Sequence, residues 1–374
     1  MYSLSKPYLI SLFVLFSAIA KSDLDFNTVC LQPGMNAPVL ECNALVNLYN
    51  ITGGDNWTNN SNWGQADVDS WFGVSAFGAV EKNVWFLDLQ NNNLTGFIPS
   101  TMNDLTHMVS LNLSNNTLFS FIPLGLGELA SLEFLLLGDN QLTGDVPNDL
   151  INLTGLKVLQ LQNNQLTGQI MSQVTGMGGL TSLWLDGNDF NEVIPPEVAQ
   201  MVSLEYFSAN DSGLTGSIPS TLVGLNQLEF LFLAHNELVG GVPECIGNMD
   251  SLRQLDFSHN NLGGRLPASL GALTAFDFIT LNHNNFSGSI PEEWSQMTLL
   301  IGFYVNNNRL TGTVPLGFGN MSLMNEFILS GNFFSTPVIP IQIEAWFQQV
   351  PFTSLIPQGV SDEIFYTNFG VSCD

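Results

Sequence analysis

Three histidines, His235, His259 and His283, stand at intervals of 24 residues, and Phe134, Trp184, Tyr206, Phe230, Phe232, Phe278 and Tyr304 fall at two fixed offsets on the same grid. Imidazole is the commonest metal-binding side chain, but no carboxylate or cysteine set completes a ligand group around this row. No metal and no cofactor is expected, only a mild pH dependence of binding. The acids Asp186, Asp211 and Asp256 share the grid, together with Leu136. Rings interleaved with carboxylates are groups that hold a partner. A Gly-rich phosphate loop and a nucleophile elbow are both missing, and Asp186 and Asp211 fall in successive units with no cleft implied between them. The chain is therefore expected to bind and not to catalyse.

Composition agrees with that reading. The 374 residues carry 33 Asp plus Glu against 7 Lys plus Arg, a formal net charge of −26, with 45% apolar residues and only 11% charged. A disordered acidic segment lacks this much apolar content. Nucleic acids and anionic membranes require clustered Lys and Arg, so neither is an expected partner. A protein partner is expected to be basic, with association sensitive to salt; the same charge equally suits solubility alone.

The grid comes from a repeat. Units start at Val84, Met108, Leu132, Leu156, Leu180, Leu204, Leu228, Leu252, Phe276 and Leu300, every 24 residues, with a partial unit from Met324. Each reads L-x-x-L-x-L-x-x-N-x-L-x-G-x-I-P-x-x-L-x-x-L-x-x, the pattern of a leucine-rich-repeat solenoid. Positions four and six, such as Leu135 and Leu137, alternate as a short strand and point into a shared core. Positions three and five face outward. No unit buries its apolar side alone, so stacking is obligatory. The ninth position is Asn in nine of the ten full units, with Ser212 as the exception. Such a column is expected to satisfy buried backbone groups where the chain leaves the strand. Gly96, Gly144 and Gly168 suit a turn of unusual backbone angle, and the Ile/Val-Pro pairs, such as Ile98-Pro99, suit an extended outer segment.

The ends differ from the repeat. Residues 1 to 20 read as a signal peptide, with Lys6, an apolar run from Tyr8 and Ala18-Ile19-Ala20; no membrane span is expected. Residues 21 to 83 form the expected N-terminal cap, 84 to 334 the solenoid and 335 to 374 the C-terminal cap. Cys42 to Tyr49 reads as a short amphipathic helix, and Trp57, Trp63 and Trp71 as packing for the solenoid end. Cys30 and Cys42 flank a Pro-containing loop and are the expected disulfide; Cys245 and Cys373 stay unassigned. Glycosylation sequons stand at Asn50, Asn56, Asn59, Asn93, Asn112, Asn115, Asn152, Asn210, Asn285 and Asn320. A glycan at Asn112 or Asn115 would block the N-terminal end of the aromatic stripe.

Leu94-Thr95-Gly96-Phe97-Ile98-Pro99 and Leu214-Thr215-Gly216-Ser217-Ile218-Pro219, behind an Ala-Leu-Val, Asp-Asn-Trp and Trp-Phe-Gly-Val cap, resemble the plant-type extracellular leucine-rich repeats. That group includes polygalacturonase-inhibiting proteins and receptor-like kinase ectodomains. The resemblance implies an α/β solenoid, a right-handed superhelix with a concave parallel sheet, in a protein secreted to the extracellular space or cell wall. It also implies recognition of a protein, peptide or cell-wall glycan through the concave face, including inhibition of a secreted hydrolase. A second cysteine pair usual in such caps is absent around Trp71-Phe72-Gly73-Val74. The rival expectations are a structural or adhesive matrix component whose acidic groups or glycans bind divalent ions, and an ice-binding protein. Thr95, Thr143, Thr167, Thr215 and Thr311 share one column, although Phe119, Asn191, Val239, Gly263 and Ser287 interrupt it.

Overall fold

The computed structural model describes residues 23–355. The expected signal peptide, Phe365, Tyr366 and Cys373 lie outside the described residues.

The alternation at positions three to six produces one 13-stranded sheet. Its first strand, Val74–Phe77, is antiparallel to Asn83–Asp88, and the remaining strands follow in parallel to Phe352–Ser354. Register is kept by the repeat: Leu135 pairs with Leu159, Leu183 with Phe207, and Leu231 with Leu255. Leu135, Leu137, Leu159, Leu161, Leu183 and Leu185 are all completely buried. Each such side chain contributes on the order of 2 kcal/mol by leaving water. A slip of one residue would turn every one of them outward.

The asparagine column does what its chemistry requires. Asn140 donates to the carbonyls of Leu113, Leu137 and Gly138 at 3.0–3.2 Å, and its Oδ1 accepts the Leu118 amide at 3.0 Å. The pattern extends past the full units to Asn332, which accepts from Leu310. At the exception, Ser212 Oγ reaches the Leu185 and Asn210 carbonyls, and the Phe190 amide bonds to the Ser212 backbone carbonyl instead of a side chain. Position eight, just before this column, is left-handed in every unit: Asp211, His235, His259 and His283 have φ of 50°–55°. Asn, Asp, His and Gly fill it because other side chains seldom tolerate that region. Gly96 is also left-handed, φ 96°, and a Cβ there would stand 2.2 Å from the Ile51 carbonyl oxygen.

The outer side differs from the extended segment expected. Two further parallel sheets run there, one of four strands from Thr95–Gly96 to Gln165–Thr167 and one of five from Thr215–Ser217 to Arg309–Leu310. Most of the unit prolines then stand in extended conformation just before a 3-10 turn, as Pro99 does before Ser100–Asp104. The two outer sheets are separated at the fifth unit, where Asn191-Glu192 replaces the usual glycine turn. In the preceding unit Met171 replaces proline, and its freed amide donates to the buried Glu192 carboxylate at 2.8 Å.

At the N-terminal end the helix Val39–Ile51 encloses Glu41, Cys42, Ala44, Leu45, Val46, Leu48 and Tyr49, while Asn43, Asn47 and Asn50 on its other side are half-buried and Val39 and Leu40 are exposed. It lies between the first coil and a cluster of Trp57, Trp63 and Trp71, whose indole N–H groups donate to the Thr52, Phe72 and Gln65 carbonyls at 3.0 Å. The expected disulfide, Cys30–Cys42, ties the preceding loop to this helix. Trp346 closes the other end, donating to the Met321 carbonyl at 3.0 Å.

Candidate functional site

The outward positions of the long sheet form an open face whose chemistry is set row by row. Neighbouring parallel strands align Trp184 with Ser208, and Tyr206 with Phe230, while Phe230 and Phe232 alternate on one strand. At ~4.8 Å between strands, rings at these positions must meet. Trp184 and Tyr206 stack with centroids 4.1 Å apart at 18°, Tyr206 meets Phe232 edge-on at 5.6 Å, and Phe230 lies 5.8 Å from Tyr206. All four rings are half-buried, their remaining surface facing solvent. Phe134 and Leu136 lie on the same face but two strands earlier, separated by Val158 and Gln160, and do not join the cluster.

The acids divide into committed and uncommitted groups. Asp186 Oδ1 accepts Ser208 Oγ at 2.6 Å, Asn210 Nδ2 at 2.7 Å and the Asn210 amide at 3.0 Å. It therefore braces the sheet, and its charge, with burial acting first, raises the Tyr206 hydroxyl above the ordinary phenol range. Asp211 is exposed at the left-handed corner, outside the ring cluster, and makes no hydrogen bond with Asp186. Position two contributes acids that sequence reading passed over. Glu133 pairs with Lys157 at 2.7 Å and Asp277 with Arg253 at 3.0 Å, which leaves Glu205 and Glu229, adjacent to Tyr206 and Phe230, without an ion-pair partner among the described residues. Tabulating position two beside positions three and five would have found them.

Beyond the rings the face dips. Phe232, Asp256, Thr280 and Tyr304 form one row across four strands, long side chains flanking two short ones. The depression of about 370 Å³ is lined also by Gln254, Leu255 and Phe278. Gly302 allows the rings to lean over it, since a Cβ there would meet Phe278 at 2.5 Å. The Tyr304 hydroxyl donates to Glu326, and burial followed by this bond raises it far above its ordinary value.

The three histidines stack face to face at 4.1 Å, tilted by 10° and 14°. They are exposed along the edge of the open face. Burial, then the neighbouring imidazoles, lowers His259 below the usual imidazole range. Parallel stacking does not converge ring nitrogens on one point, and no group of three His, Cys, Asp or Glu residues able to hold a metal ion occurs among the described residues.

The sequons fall in different surroundings. Asn93, Asn115, Asn152 and Asn320 are exposed. Asn112 is buried, with its oxygen accepting Ser114 Oγ at 2.7 Å. Asn50 and Asn210 are half-buried and their amides bond to Leu24 and Asp186.

Models of the Leucine rich repeat family match residues 83–142, and again 179–201, 227–249 and 251–273. No curated protein matches the chain in sequence. Among solved structures, the ectodomain of the Arabidopsis thaliana receptor kinase GASSHO1/SCHENGEN3, in complex with CASPARIAN STRIP INTEGRITY FACTOR 2, is 27% identical with a TM-score of 0.61 over 74% of this chain and 38% of that one. The Arabidopsis receptor kinase HAESA ectodomain, in complex with an IDA peptide hormone ligand, is 28% identical with a TM-score of 0.62 over 79% of this chain and 57% of that one. The chain carries leucine-rich repeats, and its fold is similar to that of these plant leucine-rich-repeat ectodomains. A plant ice-binding protein of the same fold is 25% identical with a TM-score of 0.66, over 81% of this leucine-rich-repeat protein and 98% of its own length. This protein spans only 38% to 57% of the two receptor ectodomains. No helix among its described residues is long and apolar enough to cross a membrane.

Proposed function

We propose that this protein is an extracellular binding protein that holds a peptide or an extended protein segment across the open face of its long sheet, between Trp184 and Tyr304. The observation that carries the reading is the outward-facing, half-buried ring cluster, with Trp184 stacked on Tyr206 at 4.1 Å. Contiguous exposed rings mark interaction surface, and Trp and Tyr dominate binding energy where they are covered. The similar HAESA ectodomain is described in complex with a peptide hormone ligand, which supports a peptide as the class of partner. The unpaired Glu205 and Glu229 make a cationic segment a better fit than a neutral cell-wall glycan. The disulfide Cys30–Cys42 agrees with an oxidising, extracellular setting. The hydrolase-inhibitor form of this reading rests on the family resemblance.

Ice binding takes second place, on the match to the plant ice-binding protein. Its threonine column is not a flat lattice. Outer strands pair with an offset, so that Thr95 faces Thr117 and Thr143 faces Gln165. Thr167 and Thr215 hydroxyls are engaged by Asp145 and the Glu192 carbonyl.

Selection of a displayed random-peptide library on the immobilised full chain tests the reading. Clones captured by the wild type are expected to lose roughly tenfold or more in affinity on Trp184→Ala/Phe232→Ala, since covered aromatic anchors contribute ~2 kcal/mol or more each. Undiminished capture by a folded double variant would contradict it.

A further inference from the structure

We propose that the depression between Phe232 and Tyr304 is a receptor for the guanidinium group of an arginine side chain on the bound partner. The proposal deepens the open-face reading and rests on it.

The shape follows from the row order. Phe232 and Tyr304 stand three strands apart, ~14 Å at the usual spacing, with Asp256 and Thr280 between them. The hollow of about 370 Å³ above these short side chains is walled by three rings, Phe232, Phe278 and Tyr304. Planar guanidinium stacks on ring faces and tolerates partial dehydration better than an ammonium group.

The polar groups complete the match. Asp256 Oδ1 accepts the Ser258 amide at 2.9 Å, which fixes the carboxylate, and its second oxygen makes no hydrogen bond among the described residues. The Gln254 and Thr280 side chains likewise make none among the described residues, so acceptor groups sit beside the carboxylate for the remaining N–H donors of a guanidinium. Glu326 adds negative charge behind the Tyr304 hydroxyl. The protein's own nearby cation, Arg253, is held away by Asp277 through two hydrogen bonds of 3.0 and 3.2 Å. Rings that favour a flat cation and a fixed carboxylate with one free oxygen together describe an arginine site and not a general apolar groove.

Saturation-transfer NMR titration of the full chain with N-acetyl-arginine amide, N-acetyl-lysine amide and N-acetyl-citrulline amide tests it. Citrulline keeps the shape and removes the charge. The arginine amide is expected to bind about fivefold or more tightly than either, and to weaken as salt is raised. Asp256→Asn, which preserves the Ser258 contact, and Thr280→Phe, which fills the hollow, are each expected to lower arginine-amide binding by about fivefold. Trp184→Ala, outside the hollow, is expected to leave it unchanged while reducing capture of library peptides. Equal binding of citrulline or lysine amide, or indifference to both hollow variants with unchanged circular dichroism, would overturn the proposal. If peptide capture still falls in Trp184→Ala, the open-face reading survives that result; if capture too is unchanged in Trp184→Ala/Phe232→Ala, the open-face reading fails with it.

Discussion

Replacing Glu192 by Gln should remove a specific pH dependence of stability. The carboxyl is buried where the fifth unit departs from the repeat, and burial, partly offset by the Met171 and Ile170 amides, pushes it up to about 7 from 4.5. The folded chain therefore holds this proton more tightly than the unfolded chain. Its contribution is fully present below about pH 4.5 and is lost as pH rises through about 7. At ~1.36 kcal/mol per pK unit the shift corresponds to about 3 kcal/mol at most; partial solvent access and the retained amide bonds reduce this to about 2 kcal/mol. Gln keeps an acceptor for the Met171 amide, now 2.8 Å from Glu192 Oε1, and carries no charge at any pH. Urea denaturation followed by circular dichroism is the assay, at steps from pH 5 to pH 9. The variant should equal the wild type near pH 5 and exceed it by about 2 kcal/mol near pH 8. A constant difference across that range would refute the reasoning.

Asn236→Ala removes a side chain that accepts the Ser212 and Leu214 amides and donates to the Ala209, Leu233 and Ala234 carbonyls. Denaturant melts should show a loss of about 3 kcal/mol, because the buried amides have no other partner. Loss of the disulfide in Cys30→Ser/Cys42→Ser should cost about 2–3 kcal/mol in the same assay, the constraint on a short loop. Trp184→Ala/Phe232→Ala should shift the melting temperature by no more than a few degrees, since both rings lie outside the leucine core on the outward face of the sheet. Histidine ring resonances followed by NMR should show His259 titrating below the ordinary imidazole range.

The long sheet was legible because its marker is chemical: buried leucines at two fixed positions and an amide that only Asn supplies at a third. The outer sheets were not, because backbone groups make them and the column of Thr95, Phe119, Thr143, Asn191 and Val239 is held by no single side-chain type. The ring cluster was read correctly as outward-facing, since alternation alone decides which way Trp184 and Phe232 point. Its extent was not, because Phe134 and Leu136 are cut off by the strand that carries Val158 and Gln160. The depression escaped notice because it is made by short residues, Asp256, Thr280 and Gly302, where a search for binding groups attends to long ones. Glu192 read as a lapse in the repeat; only its contact with Met171 shows that two lapses in successive units compensate each other.

Hydroxyl-radical footprinting with mass spectrometry, on the full chain alone and with a captured peptide, tests most directly where partners dock. Protection is expected at Trp184, Tyr206, Phe230, Phe232 and Tyr304, with none at the exposed outer residues Phe97, Phe119 and Phe121. Protection confined to those outer phenylalanines, with Trp184 and Phe232 oxidised at the same rate in both samples, would contradict the open face as the binding surface.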